Sequence, residues 1–112
     1  MNEMNDCLPI MKATIGSESV NSVNARQLHA SLGVSKDFSD WMKAQIERAE
    51  LVRSEDFEVL PQKGENPQGG RPSVEYALTL DAAKHIAMMS ATEAGRKVRR
   101  YFIEAEKALR QP

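Results

Sequence analysis

The chain has 112 residues, of which 41% are hydrophobic and 5% are aromatic, enough for one domain with a modest core of aliphatic and methionine side chains. Its formal net charge of -1 at pH 7 argues against strong non-specific binding of nucleic acid by the whole surface. The sequence shows no membrane-spanning apolar run and no signal peptide, and Cys7 has no second cysteine for a disulfide. We therefore expect a cytoplasmic protein that takes up no cofactor or metal and does not contact membranes.

The beginning of the chain is predicted to be a tail followed by a β-hairpin. Residues 1–7 show no hydrophobic periodicity and are predicted to be disordered. Residues 8–23 contain two short apolar segments on either side of a turn-like sequence that begins at Gly16. This pattern is typical of a hairpin.

Residues 24–51 are predicted to form a pair of helices. Gly33 permits the positive φ with which a helix often ends, and it divides the segment in two. Asn24 and Ser35 are the predicted N-caps, because their side chains can accept hydrogen bonds from free amides of a first helical turn. Apolar residues at helical spacing predict the buried face of the second helix, namely Phe38, Trp41, Met42, Ile46 and Ala49.

Residues 57–79 are predicted to form a second hairpin, with a flexible loop at residues 61–72 that is rich in glycine and proline. A helix pair followed by such a hairpin predicts a winged-helix-like helix-turn-helix. Residues 80–110 then predict two helices, the first capped by Thr79. On the last helix we expect the ion pairs Glu93–Lys97 and Glu106–Arg110 and a buried face of Val98, Tyr101 or Phe102, Ala105 and Leu109. The predicted fold is thus a single α+β domain over residues 1–112.

The helix pair offers candidate contacts to DNA. A recognition helix needs polar or basic side chains that reach base edges in the major groove. Lys36, Ser39 and Lys43 have suitable positions, and the same helix also offers Gln45 and Arg48. The same helix carries acidic residues such as Asp40 and Glu47, which would repel phosphates. A helix pair that builds a core and presents a mixed face to a protein partner is an equally good interpretation.

Basic residues supply the candidate contacts to a partner protein. Arg96, Arg99 and Arg100 cluster with Lys97 on the last helix, and such a cluster suits phosphate or an acidic patch on a protein. Lys63 and Arg71 lie on the long predicted loop, which suits a wing tip or a segment that orders on a partner. The alternative is an ordinary solvated helix face for the cluster and a plain hairpin connection for the loop. A homodimer through Val98, Phe102 and the last helix is a further hypothesis.

The motifs together resemble the AntA/AntB antirepressor family of phages. The matching segments are VNARQLH at 23–29, DFSDWM at 37–42, EDF at 55–57, GGRP at 69–72, YALTLDAAK at 76–84 and GRKVRRYFI at 95–103. Their order and spacing fit the family from about residue 20 to residue 110.

The resemblance implies a phage or prophage protein of the bacterial cytoplasm that relieves repression of lytic genes by acting on a phage repressor. It implies no enzymatic activity, and the sequence also lacks a nucleophile motif such as G-x-S-x-G. The alternative is a sequence-specific DNA-binding regulator that acts through the helix-turn-helix and the wing.

Overall fold

The computed structural model describes residues 8–60 and 74–110, which contain four β-strands and four α-helices. The predicted tail at residues 1–7 and the predicted loop at 61–72 lie outside these described residues. In chain order the elements are β1 (Met11–Ile15), β2 (Glu18–Asn24), α1 (Ala25–Leu32), α2 (Phe38–Arg48), β3 (Phe57–Leu60), β4 (Glu75–Thr79), α3 (Leu80–Met89) and α4 (Glu93–Arg110).

The four strands form one antiparallel sheet in the order β1-β2-β4-β3. Both predicted hairpins are present as β1–β2 and β3–β4, and β2 joins them by pairing with β4, where Val23 lies opposite Leu78. The α+β class is thereby confirmed. Local periodicity did not predict that the two hairpins share a sheet, because pairing between distant strands leaves no mark on it.

One core fills the space between the sheet and the helices. Tyr101 is buried on α4, and its hydroxyl donates a 2.8 Å hydrogen bond to the carbonyl oxygen of Leu8. Burial raises the pKa of this hydroxyl above its ordinary value of 10.0. The bond ties the start of the described chain to the last helix. The largest fully buried side chains are Phe102, Leu8, Leu28, Met42, Leu78, Ile86, Val23 and Val98.

Capping side chains and a glycine mark the ends of the helices, and one cap differs from the prediction. Asn24 caps α1 by accepting from two backbone amides, and Gly33 ends that helix with a φ of 65°. Thr79 caps α3, as predicted. The cap of α2 is Asp37, whose carboxylate accepts from the amide of Ser39 at 3.2 Å. The prediction of Ser35 as this cap is wrong, because the connection from α1 is two residues longer than expected.

The last helix also differs from its predicted pattern. Lys97 lies 3.6 Å from Glu93, as predicted. Glu106 does not pair with Arg110, because its carboxylate lies 2.8 Å from the Lys84 ammonium group and joins α4 to α3. Leu109 was expected to be buried, but it is 53% exposed because the whole last turn of α4 is exposed.

A cluster around Glu58 holds the turn of the first hairpin against the second. The Glu58 carboxylate accepts from Arg53 Nε at 2.9 Å, from Ser54 Oγ at 3.2 Å and from the Gly16 amide at 3.4 Å. Gly16 has a φ of 68°, and a Cβ atom there would lie 2.5 Å from the Ser54 carbonyl oxygen. The hydrogen bond from Arg53, followed by that from Gly16, lowers the pKa of Glu58 below its ordinary value of 4.5.

The α2 cap gives the first prediction. Replacement of Asp37 by Ala should lower the free energy of unfolding by about 1 kcal/mol, because an amide of the first turn loses its acceptor. The matched control is Ser35→Ala, which should change it by less than about 0.5 kcal/mol because Ser35 is exposed and caps nothing. Urea unfolding of both variants measures the difference. Equal effects of the two substitutions would contradict the assignment of the cap.

The Glu58 cluster gives a prediction about pH. Because folding lowers the pKa of Glu58, its carboxylate stabilises the fold above the unfolded-state pKa, near 4.5, and this contribution is lost as the pH falls through the folded-state value. The difference in unfolding free energy between wild type and Glu58→Gln should therefore shrink on acidification. Urea unfolding at several pH values measures it, with Glu55→Gln, an exposed neighbour, as the control. A difference that does not change with pH would refute the prediction.

Candidate protein-interaction surfaces

Arg26 joins the helix pair to the sheet. Its Nε atom lies 2.8 Å from Glu75 Oε2 on β4. The direction of that N–H does not satisfy a hydrogen bond, so the contact is an ion pair. A terminal nitrogen of Arg26 donates to the Val74 carbonyl at 3.2 Å, and the guanidinium lies 4.3 Å from the centroid of the Phe38 ring. Asn24, besides capping α1, donates to the other oxygen of Glu75 at 2.9 Å.

The guanidinium covers one side of an aromatic cluster. His29 meets both Phe38 and Trp41 edge to face, with ring centroids 5.6 Å and 5.0 Å apart. The ring centroids of Phe38 and of Tyr76 on β4 are 6.0 Å apart. The His29 Nε2 atom lies 2.7 Å from the carbonyl oxygen of Lys36, which fixes the connection between α1 and α2. These aromatic residues therefore hold α1, α2 and β4 together.

A groove opens beside this cluster, between α2 and the end of α3. It has a volume of about 370 Å³. Its floor includes Trp41 and Gln45, which are 5% and 6% exposed, and its edges carry the exposed cations Lys36 and Arg48. The remaining lining residues are Val34, Ala44, Met89 and Ser90.

The structure separates the three candidate DNA contacts. Lys36 lines the groove. Ser39 and Lys43 are exposed and lie one turn apart on α2, and neither belongs to the groove lining. Exposed Asp40 and Glu47 lie on the same helix, so α2 does not present a uniformly basic face.

The three candidate arginines on α4 form one exposed surface. Arg96, Arg99 and Arg100 are all exposed. Arg96 and Arg100 lie on the far side of the helix from the buried Val98 and Phe102, and Arg99 lies at the border of that buried face. Arg96 and Arg100 line a shallow depression with Lys97 and Glu93. Within residues 8–60 and 74–110, the three arginines make no ion pair, whereas Lys97 is paired with Glu93. We call Arg96, Arg99 and Arg100 the α4 basic face.

Other predicted contacts are not available or not described. Lys63 and Arg71 lie outside the described residues. Val98 and Phe102 are fully buried in the core of their own chain, so they cannot form the suggested homodimer contact. The described part of the chain contains no cluster of potential metal ligands, and none of its helices has the length and hydropathy needed to cross a membrane.

Gln45 and Arg48 were expected only as further polar residues of the second helix that could face DNA, and the groove that they line was not predicted. Gln45 was expected to be exposed, because a single polar residue within an apolar helical face looks like a surface position, but it is buried. Its spacing gave a signal, since it lies four residues after Trp41 on the same face of α2. The turn between α1 and α2 places Lys36 at the same groove as Arg48. The geometry of that turn is not visible in the sequence.

The described residues thus form a small α+β domain with two candidate interaction surfaces, the groove and the α4 basic face. Residues 23–92 match the model of the AntA/AntB antirepressor family. Because the match covers more than half of the chain, the chain belongs to this family, which is regulatory and non-enzymatic. No curated protein and no solved structure shows a significant similarity to the chain. The matched range contains the aromatic cluster and the groove, and it ends before the α4 basic face.

Proposed function

We propose that this protein is a phage or prophage antirepressor that acts in the bacterial cytoplasm. It binds a repressor protein and lowers the affinity of that repressor for operator DNA. The single observation that carries the proposal is membership of the AntA/AntB family, supported by a basic surface without internal ion partners among the described residues. Binding alone is sufficient for this function, so no chemical step is needed.

The α4 basic face is the proposed contact with the repressor. Guanidinium groups form paired hydrogen bonds with carboxylates, and an exposed arginine without a partner loses no existing ion pair on binding. Arg96, Arg99 and Arg100 therefore suit an acidic patch on a protein. Lys63 and Arg71 are proposed to contribute to the same contact.

The size of the effect follows from linkage. Suppose that the antirepressor binds only the repressor that is free of DNA. At a free concentration about 100 times its dissociation constant, it weakens the apparent operator affinity about 100-fold, or by about 2.7 kcal/mol. A change of this size is sufficient to switch a promoter.

The second candidate is direct binding to operator DNA, with α1 and α2 as a helix-turn-helix and the second hairpin as a wing. Lys36, Ser39 and Lys43 would then contact DNA, and their exposure allows this. Asp40 and Glu47 oppose it, since they would face phosphates from the same helix. This candidate therefore ranks second.

The test is a gel shift in which a complex of the phage repressor with its operator is titrated with this protein. Wild-type protein should release the operator, and lanes with the protein alone should show no shifted DNA. The combined variant Arg96→Glu, Arg99→Glu and Arg100→Glu should release it at least about tenfold less effectively, the loss expected when charge pairs worth about 1.4 kcal/mol disappear. Because all three positions are exposed, circular dichroism should show an unchanged fold.

The matched control is the combined variant Lys12→Glu and Lys43→Glu, which reverses exposed charges on β1 and α2. It should release the operator as well as wild type does.

Full activity of the α4 variant would rule out the α4 basic face as the contact but would leave the antirepressor function in place. Failure of the wild type to release any operator would contradict the antirepressor function. If the protein alone shifts the DNA and the control variant with Lys43→Glu does not, the result would support direct binding to operator DNA.

A further inference from the structure

We infer that the groove between α2 and the end of α3 is a docking site for an extended peptide segment of a partner protein that carries a carboxylate beside an aliphatic side chain. The groove shares no residue with the α4 basic face. The inference does not depend on the identity of a repressor, so it stands or falls separately from the proposed function.

Charge indicates the acidic part of this peptide. Lys36 and Arg48 both line the groove, they are both exposed, and within the described residues neither forms an ion pair. No acidic side chain from the described part of the chain contributes to the lining. The C-terminus of α3 adds a partial negative charge of about half a unit, which the two full positive charges exceed. A carboxylate entering the groove therefore meets a net positive surface.

The floor indicates the aliphatic part. Most of the exposed lining is polar, and Trp41, Val34 and Met89 supply its smaller apolar part, where methionine can adapt its shape to one aliphatic side chain. Gln45, buried at 6% exposure, offers an amide donor and an amide acceptor on the same floor. An amide buried in this position suits the backbone of an extended peptide, which presents both kinds of hydrogen-bonding group.

The same features disfavour nucleic acid as the occupant. The backbone of a nucleic acid offers only sugar carbons to the apolar part of the groove, whereas a peptide can place a whole aliphatic side chain there. Exposed Asp40 and Glu47 on α2 would also repel successive phosphates. A single peptide carboxylate placed between Lys36 and Arg48 does not require a long negative strand beside those residues. The volume of about 370 Å³ suits a few side chains, being near the lower end of ordinary ligand sites.

Trp41 makes occupancy directly measurable, because it is the single tryptophan of the chain and lines the groove. The probe is a capped pentapeptide of alternating Glu and Leu, titrated into the full chain while tryptophan emission is recorded. We expect a saturable change in emission. Its Lys–Leu counterpart should give none.

The variants Lys36→Glu and Arg48→Glu should each weaken binding of the Glu–Leu peptide at least tenfold. Lys43→Glu, an equal charge reversal on another face of α2, should bind as wild type does. All three positions are exposed, so the fold should persist, and circular dichroism checks this. Arg48→Lys, which keeps the positive charge, should recover part of the affinity.

Three outcomes would overturn the inference. The first is no saturable change in emission at about 1 mM Glu–Leu peptide, where even a weak complex is half formed. The second is binding that Lys43→Glu weakens as much as Arg48→Glu does, which would show general attraction to a charged helix. The third is a short duplex DNA that displaces the peptide and binds in an Arg48-dependent way, which would make the groove a phosphate site.

Discussion

Arg26 makes the polar contact that orients the helix pair on the sheet. Its guanidinium lies between the Glu75 carboxylate on β4 and the ring of Phe38 on α2, and so it contacts elements distant in sequence. Arg26 and Glu75 side chains are 39% and 28% exposed, so their ion pair alone contributes less than about 1 kcal/mol. The stacking on Phe38 adds about 0.5–1 kcal/mol. Asn24 binds the same carboxylate while it caps α1, so one acidic residue fixes both the start and the orientation of that helix.

This arrangement gives a physical meaning to the motifs by which the sequence resembles its family. The segments at 23–29 and 37–42 supply a cap, an ion pair and an aromatic cluster, all of which hold the fold together. Two surfaces outside these stabilising contacts are exposed to partners, namely the groove next to Trp41 and the α4 basic face. The family match ends at residue 92, before Arg96, so it covers the groove but not the α4 basic face. The groove lies within the family's shared range, whereas the α4 basic face is supported by its charge and exposure.

Local patterns were sufficient to predict most elements of this fold. Helical spacing identified α2 and α3, and cap chemistry located Asn24 and Thr79. The joining of both hairpins in one sheet was missed because pairing of β2 with β4 depends on residues about 50 positions apart. The groove was missed for a similar reason, since a turn brings Lys36 to the same depression as Arg48. Exposure of the α4 arginines agrees with the helical pattern, and their binding role stays a prediction.

The central claim is that Arg26 and Glu75 act together to hold the helix pair on the sheet. The most direct measurement is a double-mutant cycle with Arg26→Met and Glu75→Gln, in which urea unfolding is followed by the fluorescence of Trp41. The ion pair should give a coupling free energy of about 0.5–1 kcal/mol. The account would be contradicted if the stability loss of the double variant equalled the sum of the losses of the two single variants within about 0.3 kcal/mol. The two residues would then contribute independently.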